Sequence, residues 1–355
     1  MRRVKLYLPY AAWPEEDRTL WEAVFKPGND LFEDQGSAAH LAERTRLALQ
    51  YAYSKFLAFL STRHGTLLGR APAERLNRKI IEDYVKWQPA TCGGITLAIY
   101  LNHLWLTLFY ICPDEDWSWL LIISKRIAAQ AKPKPKKHNL VTSDTLYALG
   151  IELMDRVISY GRPATTRTTQ NAYRDGLIIA LLALIPLRRR TLAALRIGKH
   201  LVRSGDSWVL DIPAEDIKTK RPLEYPISKE LSERIDLYLN QIRPRIPGAG
   251  THDYLWASSR ARPMTDRIIY NTVRRRTRKV LGFPVNLQRF RSAAATLWST
   301  RDPANVRGAR DLLGHASFVT TEKHYIMAQS RLAGRALARA VGTVGKRSAV
   351  SNSIS

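Results

Sequence analysis

Cysteine appears only twice in the 355 residues, as Cys92 and Cys112 in unrelated contexts. That excludes a disulfide framework and a cysteine metal cluster, and leaves stability to packing. Long apolar runs are missing as well. The stretches around Leu97 to Cys112 and Leu177 to Leu187 come nearest to the roughly 18 residues of a membrane span, and polar residues or proline interrupt both. The expectation is a soluble protein. The opening residues MRRVKLYLPYAAWPEEDRTL are basic but lack the unbroken apolar core of a secretory signal, which points to the cytoplasm. Acidic residues are in short supply: 31 against 56 basic ones leave a net charge of +25. A polyanion is the partner such a surplus suits, with nucleic acid the leading class. The surplus is also one-sided. Residues 1 to 130 carry 16 basic and 14 acidic groups, and the remaining 225 carry 40 and 17. An excess of arginine serving solubility alone would not be so asymmetric.

The length suits two domains, each able to bury a core. Residues 1–36 mix Trp13, Trp21 and Phe25 with acids and prolines and read as an arm or a first short helix. From Ser37 onward apolar residues recur at helical spacing. Helices are expected over Leu41 to Leu60, Ile80 to Trp87, Leu97 to Tyr110 with Thr96 as cap, and Trp117 to Gln130, making residues 37–130 a helical bundle. Residues 131–142, AKPKPKKHNLVT, form an extended linker whose Lys132, Lys134, Lys136 and Lys137 suit either a solvated tether or a strap along a phosphate backbone. A second domain over 143–330 begins with helices from Leu146 to Tyr160, capped by Ser143 or Asp144, and from Asn171 to Leu187. Alternating segments at Trp208 to Ile212 and Leu223 to Ile227 flank a lysine-rich turn and predict a small antiparallel sheet in a mainly α protein. Helices resume over Met264 to Val280 and Gln288 to Thr300. Residues 260 to 291 carry ten basic groups against one acid, with Arg274 and Arg275 as candidate contacts to nucleic acid. In the near-neutral first domain, Arg70, Arg75, Arg78 and Lys79 are the candidate basic patch.

Two arginines stand on otherwise apolar helices: Arg188 ends a buried run, and Arg291 leads SAAATLW. Buried guanidinium is costly unless it meets an anion, and its planar fork matches two oxygens of one phosphate. For either residue alone a structural ion pair is an equal reading. Near the C-terminus, LLGHASFVTTEKHY places His315 ten residues before Tyr325, with His324 at the nine-residue spacing.

Taken together, these segments resemble the tyrosine recombinases of the phage integrase family over roughly Ser37 to Met327. LLGHASFVTTEKHY resembles the box that ends in the nucleophilic tyrosine, so the resemblance implies Tyr325 as nucleophile and His315 as a phosphate-contacting donor. IPLRRRTLAALRIG is similar to the first arginine box, G-L-R-x-x-E, and that register implies Arg188 as catalytic. Here Pro186 replaces the glycine and Thr191 the acid. DIKTKRPLEYPIS resembles the hairpin lysine motif, with Lys218 implied as general acid and Lys220 the competing choice and otherwise a DNA contact. The H-x-x-R box fits QRFRSAAAT, which implies Arg291 and Thr296 and sets Gln288 where the family has histidine; an offset register on Asn286 and Arg289 fits the threonine less well.

The resemblance implies a helical core-binding, SAM-like domain followed by an α+β catalytic domain. It also implies a site-specific recombinase that cleaves and rejoins double-stranded DNA through a 3′-phosphotyrosyl link, with no metal, ATP or other cofactor. A phosphodiester repels an attacking phenolate unless cations neutralise its oxygens, which is the work for which Arg188, Arg291 and His315 are suited. After Tyr325, residues 331–355 read as a helix with Leu332, Ala336, Leu337 and Val341 on one face, then a polar tail. The family often passes such a helix to a neighbour, which implies a tetramer on DNA. Departures at Pro186, Thr191 and Gln288 keep a catalytically inactive DNA-binding relative in view, and the shared chemistry keeps a type IB topoisomerase or hairpin-forming relative in view.

Overall fold

The computed structural model describes residues 6–28, 34–89, 92–131, 141–158, 166–217 and 222–301. The chain divides into two compact units, Met1–Lys137 and His138–Ser355.

In the first unit, α1 (Glu15–Val24) packs with α2 (Glu43–Arg63), α3 (Arg78–Trp87), α4 (Gly94–Ile111) and α5 (Ser118–Gln130). The segment expected as an arm joins this core: Trp13, Trp21 and Phe25 are buried among Tyr53, Phe56 and Leu57 of α2. Trp13 stands edge-on to both Trp21 and Tyr53, and its indole N–H donates to Ser54 Oγ at 3.0 Å. The reason is polar as much as apolar. Asp17, fully buried on α1, accepts from Tyr53 Oη and from Arg75 Nη1, each at 2.6 Å. Arg75 is itself 1% exposed, so it leaves the basic patch expected from the sequence.

Local chemistry sets the helix ends. Asn77 Oδ1 accepts from the Ile80 amide and starts α3. α4 starts two residues before Thr96, with Gly93 at the cap position and no side-chain cap bond, so Thr96 lies inside the first turn. By length and composition α4 would pass for a membrane span, and Leu97, Leu101, Leu104 and Leu108 on it are buried in the core.

The second unit is built on α6 (Ser143–Ile158) and α7 (Arg167–Leu184). Thr142, rather than Ser143 or Asp144, caps α6 by accepting from the Thr145 amide, and Thr166 does the same for α7 at Thr169. The two helices cross so closely that a Cβ on Gly150 would lie 2.6 Å from the Ala180 nitrogen, which requires glycine there. From Gln170 to Ala183, α7 is buried almost throughout, the near-continuous apolar run explaining why it lies at the centre. It ends three residues before the expected Leu187, because Pro186 disfavours helical geometry at the residue before it. A five-residue helix, α8 (Arg189–Ala193), follows.

Strands β1 (Leu201–Ser204), β2 (Ser207–Ile212) and β3 (Leu223–Pro226) make an antiparallel meander, with Leu201 opposite Leu210 and Leu210 opposite Tyr225. β1 was not expected from the sequence, since four residues ending in Arg-Ser give almost no alternation to read. Helix α9 (Lys229–Leu237) and a two-stranded sheet of β4 (Ala257–Ser258) and β5 (Arg262–Pro263) lead to α10 (Asp266–Leu281) and α11 (Leu287–Arg301). Thr265 caps α10 through the Ile268 amide, and Gly282 ends it in the left-handed conformation that glycine tolerates.

Candidate active site

Arg188 occupies the cap position of α8, directly after the turn that Pro186 imposes on α7. Its backbone is extended there, which points the chain out of α7 before α8 begins. Arg291 lies in the first turn and a half of α11 and is 6% exposed. Its Nη1 donates to the Pro186 carbonyl oxygen at 2.6 Å, linking two segments 105 residues apart. The proline in the glycine position therefore does two things: it stops α7 and it offers a fixed acceptor.

Arg188, Gln288 and Arg291 come together around one cavity of about 360 Å³, with Arg189, Tyr270 and Asn286 completing most of its wall. Burial first, and the neighbouring positive charge of Arg188 second, bring the Arg291 pKa down to about 10. A phenol on β3, Tyr225, works in the opposite direction. Two guanidiniums held at one cavity in this way create a strong local preference for an anion.

Two wall residues, Arg189 and Tyr270, were not singled out in the sequence. Arg189 pairs through Nη2 with Asp266 Oδ2 at 3.0 Å, and its guanidinium lies 5.5 Å from the Tyr270 ring. Arg274 lies 5.2 Å from the same ring. The i, i+4 spacing of Tyr270 and Arg274 on a helix was the available signal. Asn286, which figured only in the offset register, also faces the cavity.

Behind the wall, the fully buried Asp175 on α7 gathers arginines from its own helix and from α10. It accepts from Arg174 Nη2 at 2.7 Å and Arg276 Nε at 2.9 Å, and Arg275 Nη2 lies 3.5 Å away. Arg275 is thus a mostly exposed arginine tethered to a buried acid, and Arg274 is exposed. Thr191, in the position where an acid is expected, is nearly buried. On the sheet side, His200 and Lys199 both reach Asp216, two residues before Lys218. Lys132, Lys134, Lys136, Lys137, Lys218, Lys220, His315 and Tyr325 lie outside the described residues.

The phage integrase family model matches residues 163–331. That segment, a little under half of the chain, is similar to the phage integrase family. The matched segment contains every arginine of the cavity. Among solved structures, the XerH site-specific recombinase bound to difH substrate in a pre-cleavage complex has a TM-score of 0.56 at 14% identity, covering 79% of this chain and 76% of that one. The XerH post-cleavage complex on palindromic difH substrate has a TM-score of 0.55 at 13% identity, over 90% of this chain and 94% of that one. XerA recombinase matches with a TM-score of 0.42 at 17% identity, over 91% of this chain and 98% of that one. The XerH likenesses show that the chain shares the fold of those structures, mainly helical with small antiparallel sheets, across most of its length. No curated protein sequence matches the chain.

Proposed function

We propose that this chain is a tyrosine recombinase of the phage integrase family, a site-specific DNA recombinase that cuts and rejoins strands through a 3′-phosphotyrosyl link on Tyr325. The observation that carries the reading is the convergence of Arg188 and Arg291, 103 positions apart in the sequence, on one cavity together with Gln288. In this mechanism the scissile phosphate sits between the two guanidiniums, whose forks bind its non-bridging oxygens and stabilise charge in the pentacoordinate transition state. Gln288 donates from its amide to a phosphoryl oxygen where the family uses histidine. The Tyr325 oxygen attacks phosphorus, the bond to the 5′ oxygen breaks, and Lys218 supplies the proton that oxygen takes up. His315 contacts the phosphate. The ester energy stays in the link, and a second 5′ hydroxyl reverses the step without ATP. The complexes in the XerH titles contain DNA substrate, and the surplus of positive charge after residue 130 supports duplex DNA as partner here. The lysines of residues 132–137, with Lys220, Arg274 and Arg275, are assigned to the DNA backbone. Assembly as a tetramer through residues 331–355, on DNA inside the cell, completes the reading.

Gln288 in place of histidine favours one second reading, a relative that binds DNA without cutting it. A duplex nicked near the scissile bond separates the two, because only an active enzyme is trapped as a covalent adduct on it. Tyr325→Phe is expected to protect the same DNA and form no adduct. Adduct formation by that variant would refute the nucleophile.

A further inference from the structure

The cavity holds more positive charge than one phosphodiester neutralises. Arg188 and Arg291 suffice to grip a single phosphate, yet Arg189 lines the same wall, and Tyr270, also in that wall, carries Arg274 against its ring. Arg274 forms no ion pair among the described residues. Arg189 Nη2 makes an ion-pair contact with Asp266 Oδ2 at 3.0 Å, and the planar guanidinium carries four further N–H donors. We propose that Arg189 and Arg274, both set against the Tyr270 ring, form a second phosphate subsite that takes the DNA backbone phosphate adjoining the one between Arg188 and Arg291.

Three features support this over a simple strap between α8 and α10. A strap needs the Arg189 to Asp266 pair alone, whereas here the aromatic ring has a second guanidinium against it whose charge no carboxylate among the described residues meets. Successive phosphates of one strand advance only about 3.4 Å along the duplex axis, so a cavity that seats one brings its neighbour to the cavity rim. The ring also restricts both long side chains, which lowers the ordering needed when a phosphate arrives. Asp266 acts as a positioning residue: as the first residue of α10 it is favoured by the helix dipole, and from there it fixes the direction of Arg189.

The subsite rests on the recombinase reading for the identity of the first phosphate, so its test has two arms. In the first, the full chain binds a short duplex of arbitrary sequence over a range of salt. Arg189→Gln is expected to reduce the slope of log affinity against log salt by about one, and the double variant with Arg274→Gln by about two. Arg203→Gln, on β1, whose side chain pairs with Asp236 of α9 and does not line the cavity, should leave the slope unchanged. In the second arm, the duplex protected by Tyr325→Phe carries one neutral methylphosphonate beside the cleaved bond. That substitution should weaken the wild-type chain about tenfold and leave Arg189→Gln unaffected, since the lost charges are partners. Equal losses in both proteins, or an unchanged salt slope in a variant that melts normally, would overturn the subsite. Reduced slopes with no adduct on any duplex would instead remove the recombinase reading and leave the subsite in place.

Discussion

Arg291 donates to the carbonyl oxygen of Pro186 at 2.6 Å, so the residue that stops α7 also aims a buried guanidinium at the cavity. Its pKa falls below the ordinary arginine value to about 10, which means the fold works against that charge. The sign follows from linkage. A folded pKa below the unfolded one makes the cost full below about pH 10 and lets it fade as pH rises toward the ordinary arginine value. The size is on the order of 3 kcal/mol. Arg291→Met should therefore melt about 2–4 °C higher per kcal/mol recovered while forming no covalent adduct with DNA. Sulfate, by occupying the cavity, should raise the melting temperature of the wild type and not of the variant. A variant that melts lower and responds to sulfate would contradict the assignment.

Asp175 is the acid that makes the arginines around it tolerable. It is fully buried and holds Arg174 of α7 and Arg276 of α10. Asp175→Asn leaves at least two guanidiniums short of their anion, a loss of about 3–5 kcal/mol when one partner of a buried pair is removed. Chemical denaturation should show the second unit destabilised by that amount with the first unit unchanged. Loss of DNA affinity without loss of stability would mean that Asp175 acts on the surface arginines instead.

At the other end of the chain, the buried Asp17 ties α1 to α2 through Tyr53 and to Arg75. The phenol pKa of Tyr53 is raised well above its ordinary value, first by burial and then by this carboxylate. Removing residues 1–36 takes away Asp17, Trp13 and Trp21 together and leaves Arg75, 1% exposed, without its acid. A fragment of residues 37–137 should then lack a cooperative melt, whereas residues 1–137 should have one. Cooperative folding of the shorter fragment would restore the segment to the status of an arm.

The helices of both units were legible because their apolar spacing is regular, and the motif boxes drew attention to Arg188, Gln288 and Arg291, which line one cavity. Arg189 escaped because it stands in an Arg-Arg-Arg run where nothing local distinguishes one guanidinium from the next. The direction of its side chain depends on Asp266, 77 positions later. Asp175 escaped for a related reason: a lone acid within a helix looks solvated until the partners arriving from α10 are known. Arg75 was read as surface because the sequence counts charge and not exposure, and the acid that draws it inside lies 58 positions away. In each case the missing information was a long-range ion pair, which periodicity does not encode.

His200 and Asp216 offer the test closest to Lys218, the proposed general acid. His200 is 3% exposed, and its Nδ1 accepts from the Arg196 amide at 3.1 Å, so the neutral ring carries its proton on Nε2 and donates it to Asp216 Oδ2 at 2.9 Å. Lys199 Nζ reaches the same oxygen at 2.6 Å. These bonds, that from Lys199 foremost, hold the Asp216 carboxyl below its ordinary pKa of 3.8. A depressed acid contributes stability that is present above the unfolded value and is lost as pH falls through the folded one, so the anchor should weaken from about pH 4 downward. Hydrogen exchange at the Asp211 amide, which donates to the His200 carbonyl oxygen at 2.8 Å, should accelerate over that range in the wild type and be fast at all pH in Asp216→Asn. Because Asp216 precedes Lys218 by two residues, the variant should also slow cleavage. DNA with sulfur in place of the bridging 5′ oxygen needs no proton donor, and on it the variant should cleave as fast as the wild type. If the sulfur substrate is cut just as slowly as ordinary DNA, the anchor supports the fold alone and has no part in delivering the proton.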